Sequence, residues 1–73
     1  MDGAREFRLR GESITLDALL KAEGLAASGG DAKRVILEGA VRVNGEAELR
    51  RGRKLRAGDV VTLGATRVQL RGA

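Results

Sequence analysis

Glycine sets the scale of what this chain can build. Gly11, Gly24, Gly39, Gly58 and Gly64 each fall where an apolar pattern stops or turns, and no proline shares the task. Because glycine adopts backbone conformations that other residues avoid, it ends helices and opens turns. The pieces between these breaks suit short strands and short helices. A chain of 73 residues buries only roughly 60% of the surface it exposes when unfolded, so one domain with a small core is the upper limit. Twenty residues are Val, Ile, Leu, Met or Phe and eleven more are Ala, enough for two layers of short elements.

Between Glu6 and Gly11, Phe7 and Leu9 alternate with Arg8 and Arg10, the period of a half-buried strand. Thr15 stands where a helix cap belongs, Asp17 falls in the first turn, and Leu16, Leu19 and Leu20 recur at helical spacing up to Glu23. With Gly24 in the left-handed position, Leu25 folds back toward Leu20 in a Schellman ending. Ser28 with Asp31 three residues on reads as a capping box for a second helix, Asp standing in for the usual Glu or Gln. Ala32, Val35 and Ile36 form its buried stripe, and Gly39 ends it. Only Gly24 to Ala27 separate the two helices, which makes a helix-turn-helix-like pair.

Everything beyond Gly39 reads as extended. Val41 and Val43 alternate with Arg42 ahead of Asn44-Gly45, a strong hairpin signal. A two-residue loop would set Glu46 and Glu48 opposite Val43 and Val41 and force acids onto the apolar face. The expectation is therefore a three-residue loop with a bulge at Gly45, Val43 facing Ala47, Val41 facing Leu49 and Arg42 facing Glu48. Ala57-Gly58-Asp59 reads as a tight turn into Val60, and Gly64-Ala65 closes a last hairpin that pairs Val61 with Val68 and Leu63 with Thr66. The fold class expected is α+β: a single domain over 1–73, with a short N-terminal strand and the helix pair packed on a small antiparallel sheet of four or five strands.

Charge is unevenly spread. Arg50, Arg51, Arg53, Lys54 and Arg56 lie together with no acid among them, while the rest of the chain holds nine bases against ten acids. The whole surplus sits in one segment, which suits a polyanionic partner better than a solvated loop. Catalysis finds no support. The chain has no Cys and no His, and Ser13, Ser28, the Thr and Lys side chains and the Glu46/Glu48 pair form no nucleophile-base or acid-base spacing. The expectation is a protein that is not an enzyme and uses no cofactor and no metal. No apolar run approaches the ~18 residues that span a bilayer, and the start of the chain, with Asp2, Arg5, Glu6 and Arg8, lacks a signal-peptide core. A cytoplasmic monomer is expected.

Two segments carry binding chemistry. Ser28-Gly29-Gly30 opens the second helix with two glycines that cost about 1 kcal/mol each relative to Ala. Free backbone N–H groups there, with Lys33 one turn on, suit a phosphate. A flexible turn before a capped helix is the other reading, since the Asp31 carboxylate competes for the same donors. The second segment is Arg50, Arg51, Arg53 and Lys54, whose guanidinium forks grip phosphates bidentately. With one Phe and no Trp or Tyr, no surface can stack several bases, so single-strand readout is disfavoured and recognition of a folded backbone by shape and charge remains. The competing reading is a protein-interaction module in which Arg50–Arg56 meets an acidic partner.

The order of these motifs resembles the RNA-binding domain named after small-subunit ribosomal protein four, the S-four type. Leu16-Asp17-x-Leu19-Leu20, Gly24-Leu25, Ser28-Gly29-Gly30-x-Ala32-Lys33, Gly39-x-Val41-x-Val43-Asn44-Gly45 and Lys54-Leu55-x-x-Gly58-Asp59-x-Val61 carry the likeness over about two-thirds of the chain. The Ser-Gly-Gly-x-Ala-Lys run and the arginines before Lys54-Leu55 look most like the small stand-alone bacterial members associated with ribosomes. The resemblance implies an αL-type motif in which the helix pair and adjoining strands form one surface for structured RNA, ribosomal RNA first. Carried over by residue, the binding positions are Ser28, Gly29, Gly30, Lys33, Arg42, Arg50, Arg51, Arg53 and Lys54. Gly29 departs from the Arg that many members have after the Ser, so a side-chain phosphate contact is lost there.

Overall fold

The computed structural model describes residues 4–72. The elements run β1 (Ala4–Arg8), β2 (Ile14–Thr15), α1 (Leu16–Ala22), α2 (Gly29–Leu37), β3 (Val41–Val43), β4 (Glu46–Ala47), β5 (Lys54–Leu55), β6 (Val60–Leu63) and β7 (Thr66–Arg71). Five of the strands form one sheet in the order β1-β7-β6-β3-β4, and β2 pairs with β5 in a two-stranded ribbon beside it. The α+β class and the helix pair are as expected from the sequence.

Both helices end as their glycines dictate. In α1, Leu25 N–H reaches Leu20 O (2.8 Å) and Gly24 N–H reaches Lys21 O (3.1 Å). In α2 the equivalent bonds are Ala40 to Val35 O (3.2 Å) and Gly39 to Ile36 O (3.0 Å). These are two Schellman endings, with Gly24 and Gly39 at φ 71° and 78°. The starts differ. Ser28 Oγ accepts from Asp31 N–H (3.2 Å), one half of a capping box, while Thr15 makes no side-chain cap for α1. That helix is capped instead from a distance: Leu16 N–H donates to Arg53 O (2.9 Å) and Asp17 N–H to Arg51 O (3.0 Å). Orphan amides at the helix start thus fasten the arginine-rich segment to it.

The core lies between the helices and one face of the sheet. Leu16, Leu19, Leu20, Ala32 and Ile36 meet Val41, Val43, Val61, Val68 and Leu70, with Leu9 and Leu55 closing the edges. Arg5 sits on this face at the rim and donates to Glu23 O (2.9 Å), holding β1 to the end of α1. Among the described residues no helix is long and apolar enough to cross a membrane.

Two strand expectations need correction. The sheet is mixed, because β1 pairs with β7 in parallel, Phe7 beside Leu70. Hairpins fix the direction of neighbouring strands only, and β1 meets a strand from the far end of the chain, so the whole intervening domain serves as the crossover. The first hairpin also has a two-residue loop: Val43 pairs with Glu46 and Arg42 with Ala47. Asn44 and Gly45 both take positive φ, 53° and 87°, as a type I′ turn requires. The register that was expected to fail on its acids is tolerated because Glu46 lies at the exposed edge and Glu48, after the strand ends, finds cationic partners. The closing hairpin agrees with expectation, pairing Val61 with Val68 and Leu63 with Thr66.

Candidate nucleic-acid interface

After β4 the chain leaves the sheet through Glu48, whose N–H still bonds Val41 O (3.0 Å). It then turns at Arg50–Arg53, where Arg53 N–H reaches Arg50 O (3.2 Å), and re-enters as β5 against β2. Buried Leu55 anchors the return. With the two bonds from α1, this makes the basic segment a fixed turn and not a solvated loop.

Glu48 organises that turn. Its carboxylate accepts from Arg50 N–H (3.1 Å), Arg50 Nε (3.0 Å) and Arg53 Nη1 (2.7 Å). Its side chain is 9% exposed, against 76% for Arg50 and 32% for Arg53. Bonds from the Arg50 guanidinium, then from Arg53, then from the Arg50 backbone lower its pKa from 4.5 to about 2, outweighing the opposing effect of burial. The ionised form is favoured on folding, so this stabilisation is complete above about pH 4.5 and is lost as the pH falls toward about 2. Glu48→Gln should lower stability at neutral pH by about 1–2 kcal/mol through loss of charge-assisted bonds. Thermal unfolding followed across that acid range should show a shallower pH dependence in the variant than in the parent; equal slopes would remove Glu48 from its role.

The turn therefore holds Arg50 and Arg53 partly neutralised, and leaves Arg51 and Lys54 without an acid partner among the described residues. Arg50, Gly52, Arg53 and Lys54 line one shallow cleft. Lys33 of α2 and Arg51 line one small groove together with Ile36, Leu37 and Leu49. Among the described residues it too has no acid partner: the acids of its helix, Asp31 and Glu38, both face Arg34 at 3.9 and 3.3 Å. Asp17, whose backbone meets the turn, directs its carboxylate to Ala18 N–H (2.8 Å). Arg50, Arg53 and Lys54 thus line one cleft and Arg51 shares a groove with Lys33; Glu48 pairs with Arg50 and Arg53, and Asp59 also lies within the field of Arg53.

Ser28, Gly29 and Gly30 lie one turn before Lys33 at the exposed start of α2. A side chain at Gly29 would meet nothing within 4 Å, and one at Gly30 only Ser28 Oγ at 3.8 Å. Neither glycine is demanded by packing, and neither has positive φ. Arg42 stands apart. Its neighbours Val41 and Val43 are buried, so Arg42 points from the opposite face of the sheet, level with Thr62 and Arg67, and donates to Gly45 O (3.3 Å). Eight of the nine expected positions lie on the helix pair and the arginine turn; Arg42 does not.

The sequence reading missed Glu48 as the organiser, gave Leu37 no role and set Leu49 opposite Val41 on the apolar face, where the structure puts Glu48 beside Val41 and leaves Leu49 exposed. A lone acid two residues before Arg50 and five before Arg53 was the available sign for the first. Nothing in the spacing marked the leucines.

Comparison with known proteins follows this geometry. The family model described as the S4 domain matches residues 7–71. Over 52 residues the chain is 50% identical to the "Probable ribosome maturation protein RlbA" of Bacillus subtilis (strain 168), covering 71% of this chain and 73% of that one. Over 57 residues it is 42% identical to the "Putative RNA-binding protein YbcJ" of Escherichia coli (strain K12), covering 78% and 81%. The solution structure of YbcJ, whose published description is of an ALFAL motif involved in RNA binding, superposes with a TM-score of 0.64 at 34% identity, covering 97% of this chain and 89% of that one. With the match spanning both helices, the arginine turn and the sheet, this chain belongs to the S4 domain family.

Proposed function

We propose that this protein binds structured RNA, ribosomal RNA in the first place, and does so without catalysis, as a cytoplasmic monomer serving ribosome assembly or RNA metabolism. The observation that carries the reading is the gathering of Arg50, Arg51, Arg53 and Lys54 on one fixed turn that shares a groove with Lys33, with only Arg50 and Arg53 ion-paired among the described residues. Such a patch attracts phosphates and fixes their position without reading base sequence. Ser28, Gly29 and Gly30 extend it, since glycines that the fold does not require let a phosphate approach the backbone of α2 closely. The relatives named for RNA binding and for ribosome maturation support the same reading. Arg42 takes no part in this surface.

Purification from cells with and without nuclease tests it. Ribosomal particles or ribosomal RNA should accompany the protein, and the association should vanish once RNA is digested. A protein partner that stays bound after digestion would instead make the arginine turn a docking site for an acidic protein.

A further inference from the structure

Leu37 and Leu49 are the large apolar side chains left exposed among the described residues, at 59% and 56%. Leu37 ends α2 and Leu49 follows β4, yet both line one groove. Together with Ile36 they floor a groove of about 190 Å³ whose remaining lining is Lys33 and Arg51. No carboxylate lines it, and the acids on α2 that could neutralise Lys33 are held by Arg34. Exposed apolar side chains gathered in one place mark interaction sites more than scattered ones do.

The chemistry of the lining selects that occupant. An apolar floor flanked by unpaired cations fits a group with a flat, weakly hydrated face joined to anionic arms. A nucleotide has that form. A base stacked within a helix keeps its face covered, whereas one splayed out at a bulge or junction offers it. We propose that this groove receives a single extrahelical nucleotide, its base against Leu37 and Leu49 and its flanking phosphates on Lys33 and Arg51. The inference rests on the RNA-binding reading above and adds to it a structural preference: for helices interrupted by an unpaired residue over continuous ones. It is compatible with the lack of aromatic side chains, since one base on an aliphatic floor needs no stacking ladder.

The test uses two RNA helices of the same sequence, one fully paired and one carrying a single unpaired fluorescent purine analogue. The protein should bind the interrupted helix about tenfold more tightly, the scale expected for covering two half-exposed leucines, and the analogue's emission should change on binding. Leu37→Ser with Leu49→Ser should keep the affinity for the paired helix and lose the preference and the emission change. Both leucines are largely exposed, so the fold should survive, as circular dichroism would verify. Equal affinity of the parent for both helices would overturn the groove's assignment while leaving RNA binding intact. Failure to bind either helix would overturn the RNA reading itself, and the groove's assignment with it. If instead the parent dimerises and the serine variant does not, the groove is an interface between copies and the assignment is wrong.

Discussion

Replacing Lys33, Arg51 and Lys54 together with Gln is expected to weaken binding to structured RNA by about two orders of magnitude at physiological salt without loss of the fold. Within the patch these three have no ion pair among the described residues, so their charge is fully available to phosphates and nothing internal is lost with them. Each neutralised phosphate contributes roughly −0.7 to −0.9 to the slope of log affinity against log salt. About four contacts give a slope near −3 for the parent, and the triple variant should fall to about −1. Filter binding over a range of salt concentrations measures both quantities. Arg50→Gln with Arg53→Gln should behave differently, lowering stability as well as affinity, because those guanidinium groups hold Glu48. Equal affinity of the triple variant and the parent would remove the patch from the interface.

The second large effect concerns Leu55→Ala. Leu55 is fully buried and holds the return of the arginine turn against the core. Truncating a buried leucine costs about 2–5 kcal/mol, the lost transfer energy plus the cavity left behind. A domain of this size has a total of about 4–11 kcal/mol to lose, so the variant should be substantially unfolded in mild urea. Leu37→Ala, at an exposed site, should stay within about 0.5 kcal/mol of the parent. A loss below about 1 kcal/mol at Leu55 would mean that the turn is not anchored as described.

Much of this architecture was legible in short-range pattern. Leucines at helical spacing followed by Gly24, and a Ser28/Asp31 pair followed by Gly39, fix both helices and their ends, because capping and Schellman chemistry is local. Gly64-Ala65 fixed the last hairpin for the same reason. What escaped was long-range. The parallel pairing of β1 with β7 joins residues from opposite ends of the chain, and no turn signal speaks for it. The cap of α1 comes from Arg51 and Arg53 backbone oxygens, where the sequence offers Thr15. The register of the Asn44-Gly45 hairpin was misread through a sound rule applied without its exception: acids avoid an apolar face unless ion partners arrive. Arg50 and Arg53 arrive from the turn.

The candidate site followed the same division. The cluster of Arg50, Arg51, Arg53 and Lys54 is contiguous and was plain in the sequence. That Lys33 shares a groove with Arg51 depends on how α2 packs beside that segment, which spacing alone does not state. Arg42, a position carried over by resemblance, is turned by strand alternation to the other face of the sheet.

The central claim is that one face of this molecule, built from α2 and the arginine turn, is where RNA sits. Mapping backbone amide chemical shifts during titration with a ribosomal RNA hairpin tests it most directly. The account predicts that the largest changes fall within 28–37 and 49–55, while Thr62, Arg67 and Gln69 stay still. Changes centred on Arg42, Thr62 and Arg67, with the arginine turn unmoved, would contradict it.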